Sequence, residues 1–495
     1  MREKDIKRLV IKQLKKDFPN WRRLPRKEKK RLARQVLDEV MRDYKSDGLS
    51  SVPLNELTNT PLPPAGIIPL SEMDRFVEGT TRCFLNFPVK RWQKDFDDPE
   101  LRLIDGLLDD RVLNRLLAPD KFSASMRDLF PSHYVRAELL KSLRYPEFSY
   151  RKYCEEVINC LDRKRERAFI HLSLRKKVCI DHSQLSRFRR GLTLAQMINL
   201  MVYVTHLLIR NGKISHPFQI FGVDSSDLAA CCRPYPVAKV KIGKKTVRIY
   251  SDLDADCGKR RKKRDKSEYF VGYRLHTLAA IDPENGHNYP LFSLVAPGNH
   301  HDNLFLGQLL AFARAMGLGI QVITADEGYA DAEENEKIRK EYGVTVITAA
   351  SEKAALPEHV DSQAVYMNGN CEIPMSYVGR TASGHEFCCG ADPQECFHSS
   401  TCPQCREIPL DTGRFGQIPD QVDGVEHARS IRKNMERVYN LLKHREGLEP
   451  LRVRSQHGVM AAATFAQMAT LVLEIVSTRR STRDETIPQQ LRLAS

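Results

Sequence analysis

Two aspartates stand where apolar runs stop. In Phe221-Gly222-Val223-Asp224-Ser225-Ser226 and in Val322-Ile323-Thr324-Ala325-Asp326-Glu327-Gly328-Tyr329, a β-rich stretch ends on a carboxylate followed by small or turn-forming residues. The C-terminal edge of a sheet is where such folds present side chains to a ligand. A third acid, Glu436, falls in a helix expected over residues 427–444, with Arg432 one turn before it and Lys443 seven residues after it. Glu426 and Glu446 are the neighbouring alternatives. Carboxylates from separate elements can hold two hard divalent cations about 3.5 to 4 Å apart, one activating a nucleophile and one supporting the leaving oxygen of a phosphodiester.

The elements around these acids follow from periodicity. Residues 219–224, 245–253, 269–281 and 289–295 are β-rich, and Pro283-Glu284-Asn285-Gly286 supplies a hairpin turn. A helix over 302–316, a strand over 320–325, a helix over 332–342 and a strand over 344–347 follow, which predicts a mixed α/β sheet with early hairpins and later crossovers. Upstream, residues 70–215 read as helical. The sharpest stripe there is Leu194, Met197, Ile198, Met201, Val204, Leu207 and Leu208, ended by Gly212. Before it, Ser183 to Gly191 reads as a short basic helix carrying Arg187, Arg189 and Arg190. Two helices joined by a tight turn either enter a DNA groove or form a packing domain with basic faces.

Charge points to a polyanionic partner. The 495 residues carry a formal net charge of +15, with a pI near 9.2. Residues 1–45 hold seventeen Lys and Arg against seven Asp and Glu. A second run, Lys259, Arg260, Arg261, Lys262, Lys263 and Arg264, lies inside the α/β region, as a phosphate contact or as a solvated loop. The chain is charged from Arg2 onward and lacks an apolar leader, and the apolar run over 459–476 is interrupted by Gln467 and Glu474. These features predict a cytoplasmic protein with a buried helix there and no membrane span.

The stretch from about 218 to 476 resembles the DDE transposases of bacterial insertion sequences, in the group marked by Tyr-x2-Arg-x3-Glu-x6-Lys around a catalytic glutamate. Four segments carry the resemblance: Gly222-Val223-Asp224-Ser225-Ser226, Gly272-Tyr273-Arg274-Leu275-His276, Ala296-Pro297-Gly298-Asn299-His300-His301-Asp302 and Ala325-Asp326-Glu327-Gly328-Tyr329. Arg432, Glu436 and Lys443 keep the signature spacing, while Arg429 stands at the tyrosine position. The segment Leu185 to Arg190 is similar to the helix found upstream of such catalytic domains.

The resemblance implies an RNase H-like catalytic domain in which Asp224, Asp326 and Glu436 bind two Mg²⁺, with Mn²⁺ as a substitute. Water would free a 3′-OH at a transposon end, and that hydroxyl would attack target DNA. Arg432 and Lys443 would hold terminal phosphates, as a fork and as a point charge. The implied partners are double-stranded DNA, as terminal inverted repeats and as target, and a second copy of the chain in a synaptic homodimer. A bacterial nucleoid location follows when DNA is bound. The competing readings are an RNase H-like nuclease without strand transfer and a DNA-binding protein without chemistry. Outside the triad, His300, His301 and Asp302 fit a turn and N-cap better than a ligand set. His276 fits a hydrogen-bonded sheet residue, and Asp227 a turn cap.

The 109 residues between Asp326 and Glu436 exceed what one strand and one helix need. An inserted Cys-rich subdomain is therefore expected. Cys388, Cys389, Cys396, Cys402 and Cys405 cluster there with His385 and His398, and Cys389, Cys396, Cys402 and Cys405 form a candidate structural zinc set. The expected organisation is a basic helical arm (1–46), a linker (47–69), a helical DNA-binding region (70–215), the first part of the core (216–350), the Cys-rich insertion (351–425), the C-terminal core helices (426–480) and a polar tail (481–495).

Overall fold

The computed structural model describes residues 63–83, 98–117, 129–174, 178–214, 220–242, 245–261, 267–282, 287–348, 358–360, 365–367, 371, 373–392, 394, 402–409 and 425–484. The expected arm helices and the 283–286 turn lie outside these residues.

The helical layer comprises α1 (Leu70–Cys83), α2 (Pro99–Leu107), α3 (Asp110–Leu117), α4 (Pro131–Arg144), α5 (Tyr150–Tyr153), α6 (Lys164–Phe169), α7 (His182–Gly191) and α8 (Leu194–Arg210). Local signals set the boundaries. Asp98 caps α2 by accepting from the Glu100 and Leu101 amides, with Pro99 at the first turn. Capping boxes pair Asp181 with Gln184 at α7 and Thr193 with Gln196 at α8. Helix α8 is apolar around most of its circumference and is buried along most of its length, as such a helix must be. A guanidinium fastens the layer internally: Arg136 on α4 pairs with Asp105 on α2 and Asp110 on α3, each at 2.7 Å.

The sheet strands are β1 (Ile220–Ala229), β4 (Asp256–Arg261), β5 (Ser267–Ile281), β6 (Asn288–Pro297), β7 (Val322–Ala325) and β8 (Thr345–Thr348). A separate two-stranded ribbon joins β2 (Ala238–Ile242) to β3 (Lys245–Ile249). The six-stranded order is β4-β5-β1-β7-β8, with β6 also paired to β5. Strand β5 runs antiparallel to β1, β4 and β6, whereas β1, β7 and β8 are parallel. This is the RNase H-like mixed sheet that the sequence predicts. Helices α9 (Leu306–Ala315) and α10 (Ala332–Tyr342) supply the crossovers.

After the insertion come α11 (Val425–Arg432), α12 (Met435–Asn440), a π-helical turn over Leu441–Arg445 and the long α13 (Gln456–Asp484). The single helix expected over 427–444 is therefore broken at Lys433-Asn434 and widened at its end. The run 456–477 is long and apolar enough to cross a membrane, but most of it is buried inside the protein. Gln467, its polar interruption, donates to Ser293 Oγ on β6 at 2.9 Å. One contiguous apolar core runs from α1 through the sheet to α13.

The insertion folds as a three-stranded antiparallel sheet of β9 (Met375–Arg380), β10 (Gly384–Cys389) and β11 (Cys405–Pro409), ordered β11-β10-β9. Its small core is Val365, Met375, Phe387 and Ile408.

Candidate active site

The parallel register pairs Val223 with Ala325. The residue after each of these is an aspartate: Asp326 follows the end of β7, and Asp224 sits within β1, which continues to Ala229 beyond the expected strand end, so the two lie side by side where the parallel pairing stops. The Arg432 guanidinium, from the end of α11, bridges them: Nη1 lies 3.9 Å from Asp224 Oδ2 and Nη2 lies 3.5 Å from Asp326 Oδ1. Burial, reinforced by the Asp326 and Asp302 carboxylates, pushes the Asp224 carboxyl up to about 6, while the Ser225 amide and Arg432 pull the other way. Asp326 is half exposed.

Helix α12 is pinned to β1 by close contacts. A Cβ on Gly222 would lie 2.9 Å from Met435 Sδ, so any larger residue there would require the Met435 side chain to shift. Tyr439 donates to the Asp224 carbonyl at 2.5 Å and to the Leu275 carbonyl at 3.3 Å. Glu436 follows Met435 and is exposed. It thus belongs to the helix that borders Asp224. Among the described residues, Glu386, Cys388 and Cys405 form the group whose ligand atoms all lie within 4.8 Å of one another, and the oxygens of Asp224, Asp326 and Glu436 do not meet that spacing.

Two residues beside the pair take roles that the sequence reading did not assign: Asp302, expected in a turn and N-cap, and Arg274, named only within a motif. Asp302 Oδ1 accepts from Arg274 Nη1 at 2.8 Å, and Arg274 Nε lies 3.5 Å from Asp227 Oδ1. The Asp302 carboxylate lies against Gly328, where a Cβ would meet Oδ2 at 2.9 Å. The N-cap position of the 3-10 turn Asp302–Phe305 belongs to His301, without a side-chain cap bond. Asp302 is thus free to face Arg274 and the turn that follows Asp326. The signal was available in two motifs, Gly272 to His276 and Ala296 to Asp302, but their convergence across β5 and β6 was not. Asp227 is a strand residue paired to Arg274 rather than a turn cap.

His276 is fully buried and stacks on Phe305 with ring centroids 4.1 Å apart. Burial, with the nearby Arg274 and His300, holds its pKa down at about 3. Nδ1 of the neutral ring shares a hydrogen bond with the Tyr329 hydroxyl, 3.0 Å away.

The expected phosphate contacts divide. Lys443 donates to the Asp227 carbonyl at 2.5 Å and lies 3.4 Å from Glu449, so the structure uses it to fasten the π-helical turn to β1. Arg432 faces carboxylates. Arg189 is buried, paired with Glu138 and stacked over the Tyr150 ring at 3.8 Å, which removes it from any DNA-facing set. Its neighbours Arg187 and Arg190 are exposed. Helices α7 and α8 meet at 94°, but α8 is a core helix, so α7 alone offers an open basic face. Lys259 is exposed on β4 opposite exposed Tyr269. Arg260 and Arg261 continue β4, and Lys262, Lys263 and Arg264 lie outside the described residues.

The proposed zinc quartet is redrawn. Cys405 is joined to Cys388 as a disulfide, and Cys389, being the next residue on β10, emerges on the opposite face. Cys396 lies outside the described residues. Glu446, an alternative third acid, is buried beside Glu138 and Lys141 in a pocket between α4 and α13, with burial pushing it up to about 8. The Glu426 side chain is not among those described.

The family model of the transposase DDE domain matches residues 217–472, more than half of the chain. Among solved structures, the chain matches a cryo-EM structure of a piggyBac transposase synaptic complex with hairpin DNA. The identity is 11%, covering 80% of this chain and 82% of that one, with a TM-score of 0.28. No curated protein matches the chain.

Proposed function

The chain belongs to the transposase DDE domain family, and from that premise we propose that it cleaves DNA at transposon ends and joins the freed 3′-OH to target DNA. The observation that carries this reading is the side-by-side placement of Asp224 and Asp326 where two parallel strands stop pairing, with the largely enclosed Asp224 carboxyl held up at about 6 by burial and then by neighbouring negative charge. Such an excess of negative charge on a sheet edge fits a divalent cation site. Asp224, Asp326 and Glu436 are the residues that would hold Mg²⁺, or Mn²⁺ in its place. Divalent cations held there would supply activation of water or a 3′-hydroxyl and stabilisation of the leaving oxygen.

The chain's own groups do the remaining work. Arg432 neutralises the aspartate pair and moves to the DNA phosphate once the pair is otherwise compensated. Arg274 orients Asp302 and Asp227 along the same edge. Tyr439 and Lys443 fix the backbone that bears Asp224. Lys259 and the rest of its basic run, with Arg187 and Arg190, supply contacts to the DNA backbone. The protein works as a homodimer that pairs two DNA ends.

Incubation of the protein with labelled element ends, target plasmid and Mg²⁺ tests the proposal: cut ends and joined products are expected. Cleavage without joining would reduce the activity to that of a nuclease. Binding without cleavage would leave a DNA-binding protein. DNA affinity should fall steeply with salt, because each phosphate contact releases counterions.

A further inference from the structure

The small sheet of the insertion separates its side chains cleanly by face. Strands β10 and β11 pair Cys388 with Cys405 and Glu386 with Glu407. Residues two apart on a strand share a face, so Glu386, Cys388, Cys405 and Glu407 line one side. Phe387 and Ile408 turn to the other, into the apolar cluster with Met375 and Val365. The Glu407 carboxylate is engaged by the Thr381 and Ser383 hydroxyls at 2.6 and 2.5 Å, so Glu386 is the acid placed beside the sulfurs. Gln404 takes a left-handed φ of 61° in the Cys402-Pro403-Gln404-Cys405 turn, and its carbonyl accepts from the Cys389 amide at 2.8 Å. That turn delivers Cys405 to the face occupied by Cys388.

We propose that Glu386, Cys388 and Cys405 form a site for one thiophilic divalent cation of the Zn²⁺ class, available when the cysteine pair is reduced and closed when it is a disulfide. The geometry supports it directly, since one carboxylate oxygen and two sulfurs lie within 4.8 Å of one another on an accessible face. Two thiolates and a carboxylate make a borderline-soft donor set that suits Zn²⁺ over Mg²⁺. A carboxylate beside a disulfide adds nothing to that bond, whereas beside two thiolates it completes a third ligand, with water in the fourth position.

The exchange balances. A dithiol reductant breaks the Cys388–Cys405 bond and becomes a disulfide, passing two electrons and two protons to the two cysteine sulfurs. Cation binding then displaces those two protons to solvent. The small sheet is tied to the core through Arg380 on β9, ion-paired with Glu336 on α10, the helix that follows Asp326. This inference stands independently of the proposed DNA chemistry.

Co²⁺ added to the full chain tests it. After reduction with a dithiol, one equivalent should bind with the intense near-ultraviolet absorption of a thiolate-to-cobalt transition, which carboxylate sites do not give. The oxidised protein and Cys388→Ser should lack that absorption, Glu386→Gln should weaken binding at least about tenfold, and Cys389→Ser should leave it unchanged. Absence of the band from reduced protein, or its persistence at full strength in Cys388→Ser or in Glu386→Gln, would overturn the proposal. Should Cys388→Ser fail to fold, Glu386→Gln still decides the matter, because it leaves both sulfurs and the apolar cluster in place.

Discussion

The Tyr439 hydroxyl donates to the main-chain carbonyl of Asp224 at 2.5 Å. A helix side chain therefore sets the height of the residue whose carboxylate heads the acidic edge, and Met435, one turn earlier, is seated on Gly222 of the same strand. Tyr439→Phe removes about 1 kcal/mol of stability for the lost bond. It should lower cleavage more than it lowers DNA binding, measured by single-turnover cleavage beside equilibrium binding. Gly222→Ala displaces Met435 and costs about 1–3 kcal/mol, readable as a shift in denaturant midpoint.

Asp224→Asn, Asp326→Asn and Glu436→Gln should each abolish cleavage while DNA binding persists. Glu446→Gln should cleave normally, because Glu446 is enclosed between α4 and α13. Normal cleavage by Glu436→Gln would remove that residue from the triad.

Asp224 should titrate well above the usual carboxylate range. The Asp224 carboxyl is held up at about 6 against an ordinary 3.8, so it is protonated as pH falls through 6, and Mn²⁺ affinity should drop across that interval. Stability runs the opposite way: the raised value makes the cation-free protein less stable as pH climbs from about 4 to about 6. By linkage the ionised group costs up to about 3 kcal/mol at pH 7. Asp224→Asn should accordingly raise the Tm of the metal-free protein at pH 7, a gain that a scan at pH 4 would not show.

Removing Arg432 takes away a cation that favours the ionised Asp224. In Arg432→Gln the pH at half-maximal Mn²⁺ binding should move upward. An unchanged midpoint would mean that the guanidinium does not act on the pair.

Arg274→Gln leaves Asp302 and Asp227 without their shared cation. Mn²⁺ binding measured by calorimetry should weaken by about tenfold or more, with Arg274→Lys recovering only part because the fork is lost.

Much of this was legible in the chain. The strand that stops before Asp326, the crossover helix over 332–342 and the buried helix after 456 were all marked by period and by punctuation, whereas the strand expected to end on Asp224 continues to Ala229. Burial of Arg189 was not, because its partner Glu138 lies fifty-one positions away and a basic helix face looks alike whether it meets water or a carboxylate. Lys443 and Arg432 kept the spacing of phosphate ligands, yet one fastens a backbone and the other bridges acids, distinctions that only tertiary placement makes. The choice between Cys388 and Cys389 depended on strand register, where one residue of slip exchanges the faces. Asp302 was read as a turn and N-cap residue because its partner Arg274 lies twenty-eight positions earlier, on β5.

Strand β5 runs unbroken for fifteen residues from Ser267 to Ile281, and Arg274 at its middle joins the Lys259 carbonyl of β4 to the carboxylate of Asp302. The basic strand β4 and the acidic edge are thus both tied to one continuous strand. On the proposed function, a duplex held at Lys259 would meet the acids along the span of that strand, so the reach between the phosphate contact and the cutting site would be set by strand length.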